Sequence, residues 1–272
     1  MPELPEVETT LRGVQPHIQH QRIKAIVVRQ HKLRWPIPHD IQLQLQDKEI
    51  THIERRGKYL LFKTSSGTLI IHLGMSGSLR ILNHDTPVQK HDHVDIEFTN
   101  KIILRYTDPR RFGAILWTID DVSLHPLIAK LGVEPLEHHF SGHYLLQHAS
   151  KRTTPIKSLI MENKTVVGIG NIYATEALFL AKIHPASPSK SLSQEQMNCL
   201  VKTIKAVLQQ AIKSGGTTLK DFVNCEGKPG YFFLELNVYG RVGQPCTRCY
   251  LPLETMRIGQ RTTVFCQNCQ PH

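Results

Sequence analysis

Two Cys-x-x-Cys pairs near the end of the chain, Cys246/Cys249 and Cys266/Cys269 with sixteen residues between them, constrain the fold more than any other feature. Each pair is a short knuckle that presents two thiolates on one side. A spacer of this length, containing Gly259 and several strand formers, lets both knuckles close on a single tetrahedral S4 site. Zinc is the ion expected there, and iron is the other ion such a site accepts. The segment is too short to hold a core of its own, so metal binding supplies its folding free energy. Six cysteines in 272 residues are too sparse for a disulfide framework. The remaining two, Cys199 and Cys225, read as buried or half-buried free thiols. Arg261, in the stretch GQRTTVFC between the pairs, would project from the tip of a hairpin and reads as a contact to a phosphate backbone.

Upstream, the residue pattern changes once. Pro5, the acidic Glu6 and Glu8, and apolar Val7, Leu11, Val14 and Ile18 at spacings of three or four predict a helix from about residue 5. From Ile23 to about Ile119 the chain reads as short strands: IKAIVV, KYLLFKT, TLIIHLGM, HVDIEFT, KIILRYT and GAILWTI. Turn residues at Ser65-Ser66-Gly67 and Thr99-Asn100 join neighbouring runs as hairpins, which predicts an antiparallel sandwich or flattened barrel. IQLQLQ at 41–46 fits a strand or a short helix equally. After about residue 125 helical periodicity takes over, with a Ser193/Gln196 capping box and an apolar stripe from Met197 to Ile212 ending at Gly215-Gly216. Residues 217–230, rich in turn formers and basic groups, read as a mobile loop. The fold class expected is α+β in two domains: a β-sandwich domain over 1–125 and a helical domain over 126–240, the latter carrying the zinc finger over 241–272.

The formal charge of +10 and pI near 9.4 favour a polyanionic partner, with nucleic acid ahead of a membrane surface. No apolar run approaches the length of about 18 residues that spans a bilayer, and Glu3, Glu6 and Glu8 stand where a signal peptide would be basic and then apolar. The expected location is the cytoplasm, which in a bacterium means contact with the nucleoid. VVGIGNIYATEALFLAK combines a tight glycine turn with Asn171 as N-cap and a helix, and it follows the short apolar run PIKSLIME. Two helices joined by two turns would expose backbone N–H groups to a DNA phosphate. An ordinary capped helix fits the same residues, and both readings stay open.

The opening Met1-Pro2 is a processing site, because a small second residue permits removal of the initiator methionine. The new terminus is a secondary amine in the class that titrates near pH 8, so a useful fraction is nucleophilic at neutral pH. Attack on C1′ of a deoxyribose would expel the base and give an iminium that acidifies the C2′ proton. Glu3 beside it could act as general acid and base. From residues 2–6 alone the signal is weak, since many chains open with Pro-Glu.

The combination of MPELPEVETT, RRGKYL at 55–60, HLGMSG at 72–77, KHDH at 90–93, DPRRFG at 108–113, GIGNIYA at 168–174, NVYGR at 237–241 and the terminal cysteine pairs resembles the bacterial formamidopyrimidine-DNA glycosylases, over essentially the whole chain and in order. The resemblance implies that Pro2 is the Schiff-base nucleophile, Glu3 the general acid and Glu6 its support. It implies that Lys58 contacts phosphates and donates a proton in β-elimination, and that Arg261 serves δ-elimination. Met75, Arg110 and Phe112 become a wedge that fills the gap left by an extruded nucleotide, with Arg110 facing the orphaned cytosine. His72, His91, Arg152, Lys157 and Asn171 become DNA contacts, and the 217–230 segment closes over the extruded base. Read on their own residues, Arg110 and Asp108 would instead form a surface salt bridge, with Met75 and Phe112 in the core. The implied partner is damaged double-stranded DNA bound by a monomer between the two domains, and the implied cofactor is one structural zinc. Two rivals remain: an endonuclease VIII-like glycosylase for oxidised pyrimidines, against which the Leu4-Pro5 opening and the complete wedge argue, and a non-catalytic zinc-dependent DNA-binding protein.

Overall fold

A computed structural model describes residues 2–216 and 236–272, which form two compact units. The 217–230 segment, with Cys225, lies outside the described residues. The first unit takes in residues 2–130 and 214–216, and the second takes in 131–213 and 236–272. Among the described residues no helix is long and apolar enough to cross a membrane.

In the first unit, helix α1 (Leu4–Ile18) starts one residue earlier than its apolar spacing suggests, because Glu3 and Glu6 form a capping box. Glu6 Oε2 accepts the Glu3 N–H at 2.8 Å, and both carboxylates are buried rather than facing solvent at the helix start. Eight strands follow: β1 (Ile23–Val28), β2 (His52–Arg56), β3 (Tyr59–Thr64), β4 (Gly67–His72), β5 (Ser78–Asn83), β6 (Asp92–Phe98), β7 (Ile102–Thr107) and β8 (Ala114–Thr118). They make two antiparallel four-stranded sheets, ordered β1-β6-β7-β5 and β2-β3-β4-β8. Ile26, Val94, Ile96 and Leu104 from one sheet and Leu60, Phe62, Leu69 and Ile71 from the other share one buried core with Val7, Leu11 and Val14 of α1. This is the expected sandwich, with β2 and β5 as two edge strands additional to the runs read from sequence. The ambiguous IQLQLQ stretch forms a short helix, α2 (Ile41–Leu45), which buries Ile41 and Leu45.

The second unit contains α3 (Gly142–Ala149), α4 (Ile156–Ile160), α5 (Asn171–Leu180) and α6 (Gln194–Lys213), then a hairpin of β9 (Glu254–Ile258) and β10 (Arg261–Phe265). The Ser193/Gln196 capping box forms in both directions and opens α6. Helix α5 is buried at every position from Ile172 to Phe179, packed against α6 and β10. Phe179, Val238, Leu253 and Val264 share a small core with Cys246 and Cys266, so the cysteine module packs on α5. Two expectations need correcting. Asn171 is the first helical residue and Gly170 is the N-cap, because the Asn171 amide is engaged elsewhere. Cys199 is exposed on the solvent side of α6 instead of buried.

Candidate nucleic-acid interface

The first unit gathers the N-terminal residues and three loops. Pro2 is buried at the start of α1, with Glu3 and Glu6 beside it. Gly216, at φ +84°, lies so near that a Cβ there would stand 3.2 Å from Glu6 Oε1. Lys58 sits in the β2–β3 turn, which Gly57 makes at φ +58°. That turn is tied to α1 through Arg55, whose Nε donates to Glu8 Oε2 at 2.9 Å and whose Nη1 donates to the Gly57 carbonyl at 2.9 Å. Burial alone would raise the Glu8 pKa, but Arg55 and Arg12 overcome it and hold the carboxyl below its ordinary value. Sequence reasoning reads Glu8 only as an acid at the helix start and misses its pairing with Arg55, 47 positions away.

His72 ends β4, its ring 4.8 Å from that of Tyr59 on the neighbouring strand. Burial, and then the charges of Lys58 and Arg34, lower its pKa to about 4. It is therefore neutral at physiological pH. Its Nδ1 accepts the Gly74 N–H at 3.0 Å, which leaves Nε2 as the protonated nitrogen and a donor.

The HLGMSG and DPRRFG loops lie against each other. A Cβ on Gly74 would come within 2.4 Å of the Gly113 nitrogen, and one on Gly113 would come within 2.5 Å of the His72 carbonyl oxygen. Only glycine permits this approach. Asp108 is fully buried. Its Oδ1 accepts from Ser76 Oγ at 2.7 Å and the Arg110 N–H at 3.3 Å, and its Oδ2 accepts from the Gly113 N–H at 2.9 Å and Tyr106 Oη at 3.1 Å. The surface salt bridge that the bare sequence favours is replaced by this buried arrangement. The Arg110 guanidinium lies 4.9 Å from the Phe112 ring centre, Phe112 is 45% exposed, and Met75 is half-buried. A groove of about 370 Å³ runs beside them, lined by Lys32, Leu33, Arg110, Arg111 and Phe112. His91 is next to this loop: its carbonyl accepts the Asp108 N–H at 3.1 Å, and its ring meets that of His93 edge-on.

In the second unit Lys157 is buried, and its Nζ donates to Asn171 Oδ1 and Thr263 Oγ1 at 2.7 Å each. Asn171 Nδ2 donates to the Thr262 carbonyl at 3.1 Å. The start of α5, α4 and strand β10 are thus joined through one lysine and one amide. Arg261 is exposed at the start of β10, beyond a turn in which Gly259 and Gln260 both have positive φ. With Lys157, Ser158, Met161, Ile258 and Gly259 it lines a cavity of about 200 Å³. Arg152 is paired with Glu162 on a half-exposed surface. Glu176, in the middle of α5, was not singled out from the sequence; its buried carboxylate accepts four N–H bonds from residues 237–239.

The four sulfurs of Cys246, Cys249, Cys266 and Cys269 all lie within 4.8 Å of one another. Cys249 and Cys266 approach to 3.4 Å, and Cys246 and Cys269 to 3.9 Å. A tetrahedral zinc thiolate centre with Zn–S near 2.3 Å needs sulfurs roughly 3.8 Å apart. The Arg248 and Cys269 N–H groups also point at Cys246 and Cys266 Sγ, as they do in metal knuckles. The donor set fits one structural zinc.

The family model described as formamidopyrimidine-DNA glycosylase N-terminal domain matches residues 1–115, the one described as its H2TH domain matches 131–223, and the zinc finger found in FPG and IleRS matches 243–271. The formamidopyrimidine-DNA glycosylase of Saccharophagus degradans is 55% identical over 99% of this chain and all of its own length, and that of an Enterobacter species is 53% identical with the same coverage. Among solved structures, a Lactococcus lactis FPG mutant in complex with a Fapy-dG containing DNA has a TM-score of 0.92 at 35% identity, covering both chains completely. The MutM (FPG) protein from Thermus thermophilus has a TM-score of 0.88 at 33% identity over 99% of this chain and 98% of its own. On these matches the chain belongs to the formamidopyrimidine-DNA glycosylase family.

Proposed function

We propose that this chain removes oxidised purines, 8-oxoguanine opposite cytosine and formamidopyrimidines, from duplex DNA through a Schiff base on Pro2, and then cleaves the strand by β,δ-elimination. The observation that carries this reading is the placement of Pro2 next to Glu3 and Glu6 at the capped start of α1. Removal of Met1 makes the Pro2 nitrogen a free secondary amine. That nitrogen bonds to C1′ of the damaged nucleotide as the C1′–base bond breaks, and the base leaves with a proton that Glu3 is placed to supply. Loss of the amine proton and ring opening give the iminium. The C2′ proton then departs, the electron pair moves toward the iminium and the 3′ phosphate leaves. Loss of the 5′ phosphate follows in the same way.

Glu6 serves as a support for this chemistry, fixing the Glu3 backbone by accepting its N–H. Lys58, in a turn that Arg55 holds, contacts phosphate and donates a proton in β-elimination, and Arg261 on its hairpin serves the second elimination. Neutral His72 contributes a hydrogen-bond donor to a phosphate rather than a charge. Met75, Arg110 and Phe112 fill the vacated stack, with Arg110 donating to cytosine acceptors. His91, Arg152, Lys157 and Asn171 complete the DNA-binding set. Lys157 does so by holding the α5 start and β10 together, and Arg152 would exchange Glu162 for phosphate. The four cysteines hold zinc, which supplies folding free energy to the finger and no chemistry. The enzyme works as a monomer in the bacterial cytoplasm, on the nucleoid.

Borohydride reduction during incubation with an 8-oxoguanine:cytosine duplex tests the nucleophile. A trapped adduct is expected with the processed protein and none with Pro2→Gly or a blocked terminus. Equal trapping by the blocked protein would overturn the assignment, and no trapping by any form would favour a non-catalytic DNA-binding protein. Competition with a thymine glycol duplex tests the substrate class, and preference for thymine glycol would reject the purine reading.

A further inference from the structure

The side chains assigned to the wedge cannot hold their own loops in place. Phe112 and Arg110 are exposed, and Met75 is half-buried, so little packing fixes them. Their geometry must come from the backbone beneath them, where one buried carboxylate binds both loops. Asp108 Oδ1 accepts from Ser76 Oγ, next to Met75, and from the Arg110 N–H; Oδ2 accepts from the Gly113 N–H, next to Phe112. Every one of the three wedge residues is therefore within one position of a hydrogen bond to Asp108.

Tyr106 completes the device. Its hydroxyl sits 3.1 Å from Asp108 Oδ2 and 3.4 Å from the His72 carbonyl oxygen. A Cβ on Gly113 would come within 1.7 Å of that hydroxyl oxygen and one on Gly77 within 2.9 Å. The hydroxyl thus occupies the space that one glycine from each loop leaves open. Burial, followed by the Asp108 charge, raises the Tyr106 pKa well above its ordinary value, so the phenol remains a donor.

We propose that Asp108, with Tyr106 and Ser76, is the positioning group that sets the two wedge loops against each other, and that discrimination of the base opposite the lesion depends on it. This rests on the wedge assignment made above. A displacement near 1 Å of a group that must meet a base edge has large effects on rate, whereas chemistry at the sugar does not require the opposite strand. Asp108→Asn keeps one acceptor oxygen but turns an NH2 toward donors it must now repel. Tyr106→Phe deletes a single oxygen and leaves the ring in the core.

The test measures kcat/KM on 8-oxoguanine duplexes with cytosine or adenine opposite, together with cleavage of a single-stranded abasic oligonucleotide, which has no opposite base. The cytosine-over-adenine ratio is expected to fall about tenfold in Asp108→Asn and about threefold in Tyr106→Phe, consistent with loss of one to two hydrogen-bond equivalents. Single-strand cleavage should stay within about twofold of the unsubstituted protein, on the same argument. An unchanged ratio in either folded variant overturns the proposal, as does a parallel loss on both substrates, which would signal general damage. Should Asp108→Asn fail to fold, Tyr106→Phe decides alone. If the unsubstituted protein cleaves neither substrate, the functional reading fails instead, and that result is distinct from the others.

Discussion

Replacing Glu176 by glutamine is expected to destabilise the second unit by about 4 kcal/mol, on the following count. Oε1 accepts the Val238 and Tyr239 N–H groups at 2.9 and 2.8 Å, and Oε2 accepts the Asn237 N–H and side-chain Nδ2 at 2.9 and 3.1 Å. The side chain is almost wholly buried, so water cannot replace these bonds cheaply. A hydrogen bond to a charged group contributes about 1.5–3 kcal/mol, so the two lost when one oxygen becomes NH2 amount to roughly 3–6 kcal/mol. The surviving pair weakens as the charge disappears, while small shifts of 237–239 relieve part of the donor–donor clash. The second unit lies between the size classes of roughly 60–100 and roughly 150–250 residues, where 1 kcal/mol corresponds to about 4 °C, so the midpoint should fall by about 16 °C. Urea and thermal unfolding of the zinc-loaded protein, followed by circular dichroism, measure both quantities. A loss below about 1 kcal/mol would refute the reasoning, because it would mean that the N–H groups of this segment find equivalent acceptors without the carboxylate.

Lowered to about 4 in the folded protein against an ordinary 6.5, the His72 pKa makes stability fully present above pH 6.5 and lost as pH falls toward 4, by about 3 kcal/mol in all. An NMR titration should show the ring flat above pH 5, and a midpoint between 6 and 7 would contradict this. Cys249→Ala should release zinc, read by metal analysis, and weaken duplex binding by disordering the finger; unchanged affinity after confirmed metal loss would reject the finger's role. Arg105 is buried between Asp92 and Asp95, donating to Asp95 from Nε at 2.8 Å and Nη2 at 2.9 Å, and to Asp92 from Nη1 at 3.3 Å. Arg105→Met should cost about 3–5 kcal/mol in urea unfolding by leaving buried carboxylates short of charge, and a cost under 1 kcal/mol would show that Arg29 and Arg80 suffice.

What the sequence makes legible depends on the range of the interaction. The two cysteine knuckles each span four residues, the Ser193/Gln196 capping box is just as local, and strands such as YLLFKT and TLIIHL are apolar because the interior of the sandwich buries them. Strands β2 and β5 escaped not through edge position, which β1 and β8 share, but because HIERR is mostly charged and SLRILN interrupts its apolar residues with Arg80 and ends exposed. The N-cap at the start of α5 was misplaced for the opposite reason. Asn171 is a good cap by type, but Lys157, fourteen positions back, and Thr262, ninety-one positions on, claim its amide.

The site divides along the same line. Residues proposed to touch DNA stand in recognisable short motifs, with Arg110, Phe112 and Arg261 exposed and Lys58, His72, Met75, His91, Arg152 and Asn171 half-buried. Those that hold them are buried polar groups whose partners are remote in sequence: Asp108 to Ser76 across 32 positions, Glu176 to Val238 across 62, Lys157 to Thr263 across 106. Such a residue has no periodicity and no spacing rule, and by composition it passes for a solvated charge. Burial changes its energetics, because an unpaired carboxylate or ammonium in the interior is so costly that each must have found its partners as the chain folded. Exposed arginines are therefore free to meet a ligand only because buried acids have already fixed the loops and strands that present them, and substitutions at the two kinds of position should separate accordingly, the first altering binding at constant stability and the second altering both.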